Sequence, residues 1–200
     1  MGSLFSRQSA PLLGVDISSS SVKLVELGRD KGGALVLECC AIEQLERGWI
    51  TDGNIEKFDE VAEALRRVVK KSGTKTKNVA LALPSSAVIT KRITLPGGMS
   101  EQELEVQVES EANQYIPFSL DEVSLDFCVV GPSKSAPGDV DVLIAASRKE
   151  KVQDRQGLAE AAGLKPVVVD IESHAARLAA GRLIEGLPNR ASRSRKELLR

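Results

Sequence analysis

Between residues 12 and 42, three apolar, β-branched runs follow one another on very short connections. Leu12-Leu13-Gly14-Val15-Asp16-Ile17 is the first, and four serines, Ser18, Ser19, Ser20 and Ser21, separate it from the second, marked by Val22, Leu24 and Leu27. Gly32-Gly33 then turns the chain into a third run, residues 34–42. Connections this short cannot cross over a sheet, so the three strands must run antiparallel as a meander. A helix is predicted next, because Phe58, Val61, Ala62, Leu65, Val68 and Val69 fall at helical spacing and Lys70, Lys71 and Gly73 close it. Residues 78–83 read as a strand covered on both faces, since they are apolar almost throughout.

The rest of the chain alternates in the same way. A strand is expected over residues 88–95. A helix follows to about Tyr115, started by a capping box of Ser100 and Glu103 and buried along Leu104, Val108, Ala112 and Tyr115. The remaining surface of that helix is acidic, which suits either a solvated face or a basic partner. Strands over 123–130 and 140–146 flank a Gly-, Pro- and Ser-rich hairpin tip. Ser147 and Glu150 read as a second capping box, before a helix ending near Gly163. A strand over 166–171 and a helix over 173–184 complete the pattern, an α/β order of βββα, βαββα and βα.

Composition narrows the function classes. Lys+Arg 27 against Asp+Glu 28 lacks the basic excess of a nucleic-acid protein, and six aromatic residues offer no base-stacking platform. Cys39, Cys40 and Cys128 are odd in number and form no CxxC, and His174 is the only histidine, so no disulfide framework or zinc site is offered. A reducing cytoplasm is the expected compartment. No apolar run approaches the ~20 residues needed to cross a bilayer. The opening residues match an acylation pattern too permissive to carry weight.

The chemistry concentrates at the first hairpin. Asp16 ends a strand, the serines allow close backbone approach to phosphate oxygens, and Lys23 brings a cation onto the return strand. A serine-rich hairpin with an incidental Asp and Lys accounts for the same residues equally well.

Three stretches together resemble the PilM family of type IV pilus assembly proteins, the actin-like and FtsA-like cytoplasmic component of the inner-membrane platform. They are residues 12–27, residues 86–91, and Glu111-Ala112-Asn113-Gln114-Tyr115-Ile116-Pro117-Phe118 with residues 122–127. The third is the most specific, because actin-like proteins in general lack it. The resemblance covers about residues 4–185. It implies an actin-like, ribonuclease-H-like subdomain 1A, residues 12–84 plus 166–186, with an inserted FtsA-like (SHS2) subdomain 1C over 85–165. A flexible arm, 1–11, and a basic tail without a match, 187–200, flank them.

The same resemblance implies ATP and magnesium in full-length relatives. Asp16 matches the position that holds magnesium through water. Ser18, Ser19, Ser20 and Ser21 match the first phosphate loop, Lys23 the residue facing the phosphates, and Glu172 the acid that orients an attacking water. The family's second phosphate hairpin and adenosine segment do not occur before residue 200. The expectation is therefore a first lobe from which hydrolysis is not expected, and which binds no nucleotide without the second lobe. His174 is expected to be an ordinary helix-start histidine. The implied partner is the cytoplasmic N-terminal peptide of the membrane protein PilN, held between 1A and 1C, with Tyr115, Ile116, Pro117 and Phe118 as candidate contacts. Other platform components, self-association through apolar surface near Val15 and Val169, and a place at the inner face of the bacterial inner membrane complete the expectation.

Overall fold

The structure, a computed structural model, describes residues 11–185. The basic tail, and all of the N-terminal arm but Pro11, lie outside the described residues. The expected meander forms: β1 (Leu13–Ile17), β2 (Ser21–Arg29) and β3 (Leu35–Gln44) pair antiparallel in sequence order. A two-stranded hairpin follows, β4 (Ile50–Thr51) and β5 (Asn54–Ile55), which the sequence reading did not anticipate. Asp52 and Gly53, at φ 51 and 81, make its turn. Positive φ at both central residues is what a tight two-residue hairpin demands.

Helix α1 (Phe58–Ser72) then crosses back, and β6 (Asn78–Leu83) enters the sheet parallel to β1. Much later in the chain β10 (Lys165–Ile171) pairs parallel with β6, giving a five-stranded order β10-β6-β1-β2-β3. Four residues of the predicted α1 stripe, Val61, Ala62, Leu65 and Val68, are buried with Ala64 against Leu13, Val15, Val22, Leu24 and Val79, while Val69 is half-buried and Phe58 at the helix start is exposed. Glu26 fastens β2 to the loop after α1, accepting hydrogen bonds from Thr74 Oγ1 at 2.6 Å and Thr76 Oγ1 at 2.5 Å. These bonds hold its carboxyl below the ordinary glutamate range.

Residues 89–148 build a second body. Strands β7 (Ile89–Pro96), β8 (Val123–Pro132) and β9 (Asp139–Arg148) form an antiparallel sheet of order β7-β9-β8. Helix α2 (Glu101–Tyr115) covers it through Leu104 and Val108, packed on Ile93, Leu95, Val142 and Ile144. The Ser100–Glu103 capping box is present in both directions. Helix α3 (Lys149–Ala161) returns to the first body, where Leu158 and Ala159 join its core. By packing, the second body therefore ends near Arg148, although the inserted segment was expected to run to 165. Helix α4 (Glu172–Glu185) follows β10.

Four local expectations are corrected. Ser147 is not a helix cap: it lies in β9, and its hydroxyl donates to the Ala87 carbonyl at 2.8 Å, joining the start of the second body to its end. Arg148 takes the cap position with no side-chain bond. Tyr115 does not complete the buried stripe of α2; it is exposed, and Ile116 takes the buried place. Strand β6 is buried on one face and half-buried on the other, where Asn78 and the small Ala80 and Ala82 lie. Finally, Val15 is buried under α1; the exposed large apolar residues of the meander are Val25, Leu27, Leu35, Val36, Leu37 and Ile42.

Candidate functional site

Two hollows matter. The first opens at the carboxyl end of β1. Its wall is the serine turn, tied by Ser18 N–H to the Ser21 carbonyl at 3.0 Å and by Leu45 N–H to the Ser20 carbonyl at 2.8 Å. Ser21 is buried and its hydroxyl faces that of Ser18, 3.4 Å away. Ser18, Ser19 and Ser20 line the cavity, about 820 Å³ in volume, and Ser21 does not. Facing them are the β4–β5 hairpin and Glu172 at the start of α4.

Register explains the charges beside this turn. Asp16 and Lys23 are directly paired positions of β1 and β2, so both side chains leave the same face of the sheet. They meet in an ion pair of 2.7 Å, half exposed at 45% and 48%. Lys23 thus answers Asp16 rather than reaching across the turn, and neither residue lines the cavity wall. Glu172 has its carboxyl raised above the ordinary range, first by burial and then by the negative charge of Asp16, with Arg155 and Lys23 opposing. The four charges therefore share one electrostatic neighbourhood, which the sequence distributes over residues 16–172.

Arg155 is the residue the sequence reading missed. It sits on α3, is 2% exposed, and lines the same cavity. Its Nη2 donates to the Gly53 carbonyl at 3.3 Å, while Nη1 has no hydrogen-bond partner. Burial pulls its pKa below the ordinary arginine value, and the carboxylates of Glu172, Asp154 and Asp16 oppose that pull.

The second hollow, about 330 Å³, separates the two bodies. One side is formed by Leu83 and by Val169, Asp170 and Ile171 of β10, with His174 in the first turn of α4. The other side is formed by Phe127 and Cys128 of β8 and Leu143 and Ala145 of β9. Tyr115, Ile116, Pro117 and Phe118 are not among its walls. Ile116, Pro117 and Phe118 line a separate cavity of about 430 Å³ on the second body, beside Ile89, Arg148 and Lys151. Arg148 stacks over the Phe118 ring at 4.1 Å and Lys91 over the exposed Tyr115 ring at 4.4 Å.

A sequence model of the family described as "Type IV pilus assembly protein PilM" matches residues 14–198 of this chain. The match thus runs through most of the basic stretch that the sequence reading left unassigned. Among solved structures, the PilM-PilN type IV pilus biogenesis complex is similar at 32% identity and a TM-score of 0.76, over 87% of this chain and 51% of that one. The chain therefore spans about half the length of that relative. The cytoplasmic domain of EpsL, an inner membrane component of the type II secretion system of Vibrio cholerae, is a more distant likeness, at 15% identity and a TM-score of 0.49 over 80% of this chain and 57% of that one. The ethanolamine utilization protein EutJ from Carboxydothermus hydrogenoformans, at 14% identity and a TM-score of 0.43, covers 87% of this chain and 41% of its own. Neither of these two bears on the argument.

Proposed function

The chain belongs to the family of the type IV pilus assembly protein PilM, with an actin-like α/β fold, and from that premise we propose that it is a docking module for a membrane partner. The hollow between its two bodies would hold an extended peptide from the cytoplasmic N-terminus of PilN. One observation carries this reading: the hollow lies between two sheet edges. β10 is the terminal strand of the five-stranded sheet and β8 that of the three-stranded sheet, and residues of both form its walls. An edge strand offers unpaired backbone groups that an added strand can satisfy, and apolar wall residues give alternate side chains a place to enter. The similar solved structure, a PilM-PilN complex, supports the choice of partner. Among the described residues no helix is long and apolar enough to cross a membrane. Attachment at the inner face of the inner membrane would therefore come through the partner.

A nucleotide reading of the other cavity has its own support, the meeting of the serine turn, Glu172 and Arg155 around one space. Mg-ATP would bring a polyanionic triphosphate to it. Ser18, Ser19 and Ser20 would face the phosphates, and the carboxylates of Asp16 and Glu172, with the first close enough to raise the pKa of the second, suit a hydrated magnesium ion. Lys23 would keep Asp16 oriented through their ion pair.

Fluorescence anisotropy with a labelled peptide from the PilN N-terminus tests the docking reading. Saturable binding is expected, weakened at least tenfold by Val169→Lys or Ala145→Arg, which place charge in the apolar walls. A folded sample that shows no saturation up to about 1 mM peptide, the weak end of specific affinity, would refute it.

A further inference from the structure

Arg155 is the only fully buried charged side chain among the described residues. A buried cation is tolerated where partners replace its lost water. Arg155 has one long bond, from Nη2 to Gly53, and no partner at all on Nη1. The neighbouring carboxylates attract it through space, Glu172 most, yet none comes within hydrogen-bonding reach of that nitrogen. Packing alone does not account for a guanidinium here, since an apolar side chain of similar length would fill the place without an orphaned donor. What the position does have is a cavity of about 820 Å³ beside it, with the serine turn and Arg47 also in its lining.

We infer that Arg155 is the buried anchor of an oxyanion site in this cavity, and that the site takes a group of the phosphate class between Arg155 and residues 18–20. A planar guanidinium offers paired donors that match phosphate oxygens. The small serines let backbone N–H groups and hydroxyls approach the same anion from the opposite side. Arg155 lines the cavity and its unpartnered nitrogen is buried, so binding would require a side-chain adjustment that turns this nitrogen to the ligand. The hydrogen bond to Gly53 then couples anion binding to the β4–β5 hairpin, which forms another part of the same wall. This inference deepens the nucleotide reading and rests on it for the choice of anion. The shared chemistry is the phosphate group, supplied either by a nucleotide or by free phosphate.

The test is calorimetric titration of the full chain with orthophosphate, and separately with Mg-ATP, for the wild type and for Arg155→Met, Arg155→Lys and Asp16→Ala. Orthophosphate is expected to bind the wild type saturably, at least tenfold more weakly to Arg155→Met, and several-fold more weakly to Arg155→Lys, which keeps the charge and loses the fork. Without phosphate, Arg155→Met is expected to melt at a higher temperature than the wild type, because it removes an unsatisfied buried charge. Unchanged phosphate affinity in Arg155→Met would overturn the inference, as would no phosphate binding by the folded wild type up to about 10 mM, beyond the weak end of specific affinity. Should Arg155→Met fail to fold, Arg155→Lys decides, and unchanged affinity there overturns it equally. Arg155-dependent phosphate binding without any Mg-ATP binding would uphold the inference and sink the nucleotide reading. Mg-ATP binding that needs Asp16 and ignores Arg155 would do the reverse.

Discussion

The fold raises the pKa of the Glu172 carboxyl. Burial is the first cause of its raised pKa and the Asp16 charge the second. A carboxyl raised on folding binds more protons in the native state than in the unfolded one between the two pKa values. Stability therefore falls as pH climbs from the ordinary glutamate value, about 4.3, through the raised native value. Glu172→Gln removes that slope. Denaturant titrations across the acid-to-neutral range should show the variant gaining relative stability as pH rises, by less than about 1 kcal/mol because the group is partly solvated. A gain that grows toward low pH instead would mean that burial does not dominate at this site. Lys23→Met tests the neighbouring pair: at roughly half exposure its loss should cost under about 1 kcal/mol. A loss well beyond that would show the pair to be a structural tie rather than a solvated one.

At the scale of elements, legibility followed periodicity. The meander and α1 could be read because short connections and a helical stripe each leave one solution, and both appear in the structure. The β4–β5 hairpin carries a short local signal, Asp52-Gly53, the residue pair a two-residue turn favours. Arg155 carried none: α3 begins Lys149-Glu150-Lys151 and also holds Asp154 and Glu160, so its arginine looks solvated. Only the return of α3 to the first body buries it. Ser147 misled in the opposite way, since a serine three residues before a glutamate fits a cap and here serves a strand. The hairpin can be tested at Gly53, whose φ of 81 and carbonyl bond to Arg155 both depend on the turn. A Cβ at Gly53 would also meet the Pro84 ring, at 2.9 Å from its Cγ. Gly53→Ala should cost roughly 1–2 kcal/mol, the price of a left-handed backbone for an L residue. The same substitution should weaken phosphate binding with no change at the peptide hollow. Equal stability of Gly53→Ala and wild type in urea would show the turn to be less constrained than its backbone implies.

For the molecule as a whole, the central claim is that two edge strands from different sheets, β8 and β10, frame the place where a partner's chain enters. The resemblance placed a peptide between subdomains 1A and 1C but not the wall residues, which come from segments spread over residues 83–174. The contacts it suggested, residues 115–118, lie elsewhere: Ile116, Pro117 and Phe118 line the separate cavity beside Arg148, and Tyr115 is exposed. The two locations are about equally apolar in character, so affinity alone does not separate them. A photo-crosslinking experiment does. A PilN N-terminal peptide carrying a benzophenone at an apolar position should be bound, irradiated and mapped by mass spectrometry of the digested complex. Adducts on Phe127, Leu143 or Val169 are the predicted result. Adducts confined to Pro117, Phe118 and Ile89, with none on β8 or β10, would contradict the account.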